Sequence, residues 1–292
     1  MDPAAAEMSG RLAIIAGEGR LPHHVAEAAR ERGENPFIFT LKNEASGDWS
    51  GFDSATIGVG DMAGLARLLK QHEIRRVVMS GAVKRRPDFK DIHVNLRTVI
   101  KLPSTIRTLL SGGDDTVLKM VISLIEAQGC RVVGAHDIAP NLLATLGPIG
   151  AHAPSEADRK DVARAGEAAE MLGRLDVGQG AVSVGGRVVA LEGVEGTDGM
   201  LERVAALRAA GRISQKRRGV LVKLCKPQQD IRADLPSIGR STVENAAAAG
   251  LAGIAVEAGR ALIIERDAVR EIADRLGIFV CGIDRSLPED GL

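Results

Sequence analysis

Apolar positions come in short unbroken runs along the chain, and most runs give way to stretches where they recur every three or four residues. "RLAIIAGEGRLPHHVAEAARERG" reads as a strand, a Gly loop and an amphipathic helix ending at Gly33. "PFIFTL" and "SATIGV" read as strands, and "DMAGLARLLKQHE" as a helix with Asp61 as its N-cap. "IRRVVMSG" is a strand running into "AVKRRPDF". A helical region holding Leu109, Leu110, Val117, Leu118, Met120 and Val121 precedes "CRVVGAHDI". Strands alternating with helices imply a parallel sheet covered on both faces. Gly and Pro in "LGPIGAHAP" break the pattern, so a first α/β domain is expected over residues 10–150.

A second α/β domain is expected over residues 151–286. "SEADRKDVARAGEAAEMLGRL" opens with Ser155 and Asp158 as a capping box. "AVSVGGRVVALEG" alternates on both sides of Gly185-Gly186, the pattern of a hairpin. There follow a helix over "GMLERVAALRAA", the strand "GVLVKL", the charged stretch "KLCKPQQDIRADLPSIGRST" and the helix "TVENAAAAG". Strands in "AGIAVEAGRALII", the helix "RDAVREIADRLG" and the strand "IFVCGI" complete it.

Composition narrows the function classes. Of 292 residues, 38 are Lys or Arg and 38 Asp or Glu, so no basic field exists to hold a nucleic acid. Five Phe, one Trp and no Tyr offer few stacking platforms for bases. Cys130, Cys225 and Cys281 form no CxxC pair, which predicts buried, reduced thiols and a cytoplasmic protein. No apolar run approaches the ~20 residues of a membrane span. The opening "MDPAAAEM" reads as a short leader, not a signal peptide.

Gly17-Glu18-Gly19-Arg20-Leu21-Pro22 follows the first strand and opens the first helix. Glycines there admit a ligand to the backbone, and a helix start offers N–H groups to an anion. The dinucleotide fingerprint fails, because Pro22 stands for the third glycine and the second strand runs into Leu41-Lys42, not into an acid. Glu18 would also repel a pyrophosphate. The functional reading is a ribose or base contact, and the structural one a plain strand–helix turn.

Ser80-Gly81 ends a strand, where open sheets bind ligands. Asp114-Asp115, after Ser111-Gly112-Gly113, either cap a helix or line a cleft. In "LEGVEGTDGM", Asp198 is either an N-cap or, with Glu192, Glu195 and Thr197, part of a divalent-cation site. In the charged stretch, Asp230 and Asp234 are four apart, but Pro227 and Pro236 oppose a continuous helix. The stretch is either a loop of self-neutralising ion pairs or a device holding Mg2+ beside phosphoryl oxygens. "IGRST" fails the register of a phosphate-binding loop, leaving Gly239 to Thr242 as a helix N-terminus. The six histidines make no metal-ligand pair at i,i+4, and His23-His24 read as solvated helix residues. "NAAAAGLAGIAV" is read as tight helix–strand packing, with an acyl-chain wall as the alternative.

Taken in order, "LAIIAGEGRLP", "SGAVKRRPDF", "GGDDTVLK", "VALEGVEGTDGML", the long segment from Gly219 to Gly259 and "FVCGID" resemble the LpxI-type UDP-2,3-diacylglucosamine pyrophosphatases. The resemblance spans Leu12 to Asp284. It implies a Rossmann-like N-terminal domain, a distinct C-terminal α/β domain and substrate between them. It implies Mg2+-dependent hydrolysis of UDP-2,3-diacylglucosamine to lipid X (2,3-diacylglucosamine 1-phosphate) and UMP in lipid A biosynthesis, with water attacking the sugar-side phosphorus. Asp230, Asp234 and Asp198 are then expected to hold Mg2+ or orient water, and Lys223, Lys226 and Arg232 to balance the phosphates. Gly17, Glu18, Gly19, Arg20, Leu21, Pro22, Ser80 and Gly81 would take the nucleoside. Asp114, Asp115, Gly196, Thr197, Gln228, Gly239 and Thr242 would complete the substrate site. Transient contact with the inner face of the inner membrane and a homodimer are further expectations. The alternatives are a non-catalytic nucleotide-sugar sensor and, more remotely, an NAD-dependent oxidoreductase.

Overall fold

The computed structural model describes residues 10–83 and 114–285. Several expectations fall outside these: the leader, "AVKRRPDF" beyond Val83, Leu109, Leu110, Ser111-Gly112-Gly113 and the side chain of Asp114. The chain forms two compact units, Met1–Pro140 with Asp230–Asp234, and Asn141–Gln229 with Leu235–Leu292.

In the first unit the apolar runs become strands because both their faces are covered. β1 (Arg11–Ala16) is buried from Leu12 onward, and the sheet continues with β2 (Phe37–Leu41), β3 (Ser54–Ile57), β4 (Ile74–Ser80) and β5 (Arg131–Val132). The strand order is β3-β2-β1-β4-β5 and every pairing is parallel, the Rossmann-like arrangement. α1 (Leu21–Glu31) carries Pro22 in its first turn, as expected, but stops short of Gly33, which takes a left-handed turn at φ 79°. α2 (Met62–Gln71) begins where the sequence places it, with Asp61 accepting from the Gly64 N–H at 2.8 Å. α3 (Asp114–Glu126) and the short α4 (Ala135–Ile138) follow among the described residues of the unit. Phe37, Phe39, Leu65, Leu69, Val77 and Ile125 form its core.

The second unit opens with the two-residue β6 (Gly147–Pro148) and α5 (Glu156–Arg174), whose Ser155–Asp158 capping box is formed. β7 (Gly180–Val184) and β8 (Arg187–Leu191) make the expected hairpin, with Gly185 and Gly186 both at positive φ. Asp161 of α5 is buried and holds this turn: its carboxylate accepts from Ser183 Oγ, the Gly185 N–H and the Gly186 N–H at 2.6–2.9 Å. α6 (Gly196–Ala209) starts before the expected Gly199, because Gly196 and Thr197 already lie in its first turn. Asp198 is therefore not the N-cap; Glu195 occupies that position, without a side-chain cap.

β9 (Val220–Lys223), β11 (Gly253–Glu257) and β13 (Phe279–Ile283) run parallel, giving a mixed sheet in the order β13-β11-β9-β7-β8. β10 (Ser237–Ile238) and β12 (Leu262–Ile263) form a separate parallel pair. α7 (Arg240–Ala248) and α8 (Arg266–Leu276) pack on each other. Ala246, Ala249, Leu251, Ile254 and Val256 are wholly buried in the core of the unit, so the alanine-rich segment is packing and not an acyl wall.

Candidate functional site

In each unit some candidate residues lie at the carboxyl ends of parallel strands, Gly17 and Ser80 at β1 and β4 and Lys223 at β9. In the first unit the strand order reverses between β1 and β4, the position where open α/β sheets form a crevice. The loops leaving these strands are hydrogen-bonded together: the Gly17 N–H donates to Ser80 O at 2.8 Å, and Glu18 and Ala82 exchange two backbone bonds at 2.8 and 3.0 Å. A Cβ on Gly17 would stand 2.5 Å from Ala82 O, and one on Gly81 would stand 2.7 Å from Glu18 O with φ at +88°. Both glycines are thus required by the crossing of the two loops. The Gly19 N–H, one of the donors expected to meet a ligand, is taken by Ser46 Oγ at 2.8 Å. Ser80 is 6% exposed and its Oγ has no hydrogen-bond partner among the described residues. Among the described residues the Ser80 hydroxyl and His24 Nε2 are the buried polar atoms near the switch point left without a partner.

His23, expected in solvent, instead stacks on Trp49 with ring centroids 3.7 Å apart, and His24 is half-buried. Arg20 is exposed and Leu21 half-buried beside the buried Pro22. Asp115 is buried and pairs with Lys119 at 2.6 Å, one helical turn on.

Asp230 to Asp234 form a turn within the first unit, the Ala233 and Asp234 N–H groups both donating to Asp230 O at 2.9 and 3.3 Å. Arg232 grips Asp230 from its Nε at 3.0 Å, its Nη2 at 2.7 Å and its backbone N–H at 3.0 Å. These bonds, led by the guanidinium, hold the Asp230 carboxyl below the ordinary carboxylate range, and the same contact raises the pKa of Arg232. Arg232 also reaches Glu126 at 2.9 Å. Asp234 is exposed.

In the second unit, Lys223 closes β9 and is 5% exposed. Its Nζ donates to Thr197 Oγ1 at 2.8 Å and to Ser237 O at 3.1 Å. Thr197 in turn donates to Glu192 Oε1, and Glu192 Oε2 accepts from the Gln179 N–H at 3.1 Å. Lys226 is committed to Asp176 at 2.7 Å, and Gln228 donates to Gly173 O at 2.8 Å. Asp198 accepts from Asn245 at 3.0 Å. Gly239 precedes α7, as expected, and its N–H donates to the buried Thr242 Oγ1 at 3.4 Å.

Glu192 closes the hairpin in the sequence, yet it is buried and bonded at the strand ends. Glu257, the last residue of β11, was not signalled at all. It is 4% exposed, accepts from the Cys225 N–H at 3.0 Å and lies 3.7 and 3.8 Å from Arg260 and Arg285. A glutamate ending the apolar run "GIAVE" was the available sign. Burial raises the pKa of Cys225 and pushes that of Cys281 up to about 12.

Among the described residues no three His, Cys, Asp or Glu side chains gather closely enough to cage a metal. Of the two acids in the turn, Asp230 has both carboxylate oxygens on Arg232 and Asp234 is exposed. Asp198 belongs to the other unit.

Comparison with known proteins covers both units. The LpxI N-terminal domain matches residues 11–142 and the LpxI C-terminal domain residues 145–281. A UDP-2,3-diacylglucosamine pyrophosphatase LpxI of Caulobacter vibrioides is 39% identical over 275 residues, 94% of this chain and 98% of its own. Two solved structures were also matched. An isoflavone reductase is 12% identical over 94% of this chain and 78% of its own, at a TM-score of 0.28. A Thermus thermophilus UDP-glucose 4-epimerase in complex with NAD is 12% identical over 97% and 88%, also at 0.28. Superpositions at that level carry no argument about fold or function.

Proposed function

The chain belongs to the LpxI family, and from that premise we propose that it hydrolyses the pyrophosphate bond of UDP-2,3-diacylglucosamine, releasing lipid X and UMP in lipid A biosynthesis. The observation that carries this reading is 39% identity sustained over 94% of the chain to a relative bearing that activity in its name. Similarity of that extent reaches both units and every segment that supplies a candidate side chain.

Pyrophosphate hydrolysis is slow because anionic oxygens repel an incoming nucleophile, so the protein must supply positive charge and a fixed water. Lys223 supplies a cation to the substrate, and Arg232 holds the Asp230 carboxylate. Asp230 and Asp234 would hold Mg2+ together with water and phosphate oxygens, and the bound ion would withdraw charge from the pyrophosphate. Asp230, kept ionised by Arg232, would share its carboxylate between that guanidinium and the ion or water. The Ser80 hydroxyl and the paired loops after β1 and β4 take the nucleoside. Water adds to the sugar-side phosphorus, the bond from that phosphorus to the bridging oxygen breaks, and UMP leaves with the bridging oxygen. Substrate with two acyl chains implies transient contact with the inner face of the inner membrane; strong liposome binding without substrate would count against it. A homodimer is proposed for the assembly, to be read by sedimentation.

The test is incubation with UDP-2,3-diacylglucosamine and Mg2+ and detection of UMP. Tight binding without product would replace this reading with a nucleotide-sugar sensor. Solvent 18O is expected in lipid X, and its recovery in UMP would overturn the site of attack. Asp230→Ala and Asp234→Ala are each expected to lower turnover at least ~100-fold; turnover near wild type in both would remove them from the site.

A further inference from the structure

Lys223 presents a problem that its immediate neighbours solve. Its ammonium has three N–H donors, and two of them go to Thr197 Oγ1 and Ser237 O. Among the described residues the third has no acceptor, in a side chain only 5% exposed. The negative charge closest along the hydrogen-bond chain is Glu192, also buried at 6% exposure, and it reaches the lysine through the Thr197 hydroxyl. Direction is consistent along the chain: the ammonium donates to Thr197 Oγ1, and that hydroxyl, having accepted, donates onward to the carboxylate.

The backbone is shaped around this carboxylate. Gly180 of β7 pairs directly with Lys223 of β9, and a Cβ at 180 would stand 3.0 Å from Glu192 Oε2. A Cβ on Gly178 would stand 2.3 Å from Glu192 O. The missing side chains leave the room that Glu192 occupies, and the Gln179 N–H between them fixes its second oxygen at 3.1 Å. A buried carboxylate seated this closely has few orientations, so it can set those of its partners.

We infer that Glu192 is a positioning residue for the reaction: acting through Thr197, it holds the Lys223 ammonium at the strand end with one N–H directed to an anionic oxygen of the substrate. The inference rests on the proposed hydrolase reading and adds to it a residue that touches no substrate. Lys223 binds the developing charge; Thr197 fixes its approach; Glu192 fixes Thr197 in the accepting orientation.

The test uses the full chain and UDP-2,3-diacylglucosamine. Glu192→Gln is expected to lower kcat roughly 10- to 100-fold with KM changed less than about threefold, the scale of losing support behind a charged contact. Thr197→Val, which keeps the shape and removes the hydroxyl, should match it, and Thr197→Ser should recover most of the loss. The double variant Glu192→Gln/Lys223→Met should be no slower than Lys223→Met alone, because the two residues act as one unit. A merely structural glutamate would instead give losses that multiply, with no recovery by Thr197→Ser. Wild-type kcat in Glu192→Gln or in Thr197→Val would overturn the inference. If Glu192→Gln does not fold, the Thr197 pair decides the matter alone. Calorimetric titration with UDP separates the two readings. If the wild-type chain releases no UMP, the hydrolase reading fails. Roughly tenfold weaker UDP binding in Thr197→Val but not Thr197→Ser would still support the positioning chain, and equal binding would overturn it.

Discussion

Arg208 lies in the second unit at 9% exposure, and it offers the most quantitative test of how that unit is held together. From α6 its guanidinium donates to Ala249 O at 2.9 Å, to Arg217 O at 2.9 Å, to Arg218 O at 2.7 Å and to Ser214 O. Three of these acceptors lie in the segment that leads into β9, the strand ending in Lys223. Arg208→Met keeps an unbranched stem, shorter by the end of the guanidinium, and removes every donor. At about 1 kcal/mol net for each bond lost, the four bonds amount to about 4 kcal/mol. Part is returned. Ser214, Arg217 and Arg218 are exposed, so their carbonyls regain water. The cation also no longer bears the burial that lowers its pKa. The expected net loss is about 3 kcal/mol, or a fall of roughly 10 °C in Tm for a domain of this size. Arg208→Lys, with one ammonium for four dispersed carbonyls, should recover less than half. Urea titration followed by far-UV circular dichroism measures both. A loss below about 1 kcal/mol in Arg208→Met would refute the reasoning, by showing that the carbonyls rehydrate without cost.

Asp230 should titrate below its ordinary pKa of 3.8, because Arg232 and its backbone N–H favour the charged form. Its contribution to stability is therefore present above the unfolded-state pKa and lost as pH falls through the lowered folded value. Side-chain carbonyl NMR should show the Asp230 midpoint rising in Arg232→Gln; an unmoved midpoint would discard the fork as its cause. Cys130, Cys225 and Cys281 are free and buried, so a disulfide-exchange reagent at pH 8 should label none quickly in the folded chain and all three in denaturant. Rapid labelling of Cys281 before unfolding would contradict a thiol pushed up to about 12. Gly81→Ala combines a left-handed backbone at φ +88° with a clash at 2.7 Å. It should cost at least ~2 kcal/mol and expose the loop after β4 to proteolysis; unchanged stability would mean the two loops are not locked together.

The strands were legible because a parallel sheet covered on both faces demands unbroken apolar runs, as in "LAIIA" and "GIAVE". Asp61, Ser155 with Asp158, and the Gly185-Gly186 hairpin were equally legible, since caps and tight turns are local chemistry. Long-range partnerships were hidden. Nothing local distinguishes Asp161 from its solvated neighbours on α5, yet it is buried against a hairpin turn more than twenty residues later. Thr197 and Lys223 were singled out separately, and Glu192 only as part of a carboxylate cluster. Their joining depends on β7 lying between β8 and β9. His23 misled in the opposite direction, because the aromatic partner that covers it, Trp49, sits in a loop the periodicity does not describe.

The turn from Asp230 to Asp234 has a consequence for how the chain is made. Those five residues belong to the first unit, where Ala233 packs against its core and Arg232 meets Glu126. On a ribosome the first unit cannot close around them when Pro140 emerges, because residues 141–229 must be synthesised first. A fragment ending at Pro140 would carry a gap where Ala233 should lie. The first half of the protein is thus the first begun and among the last completed, and a cut between the halves yields a piece that is missing part of itself.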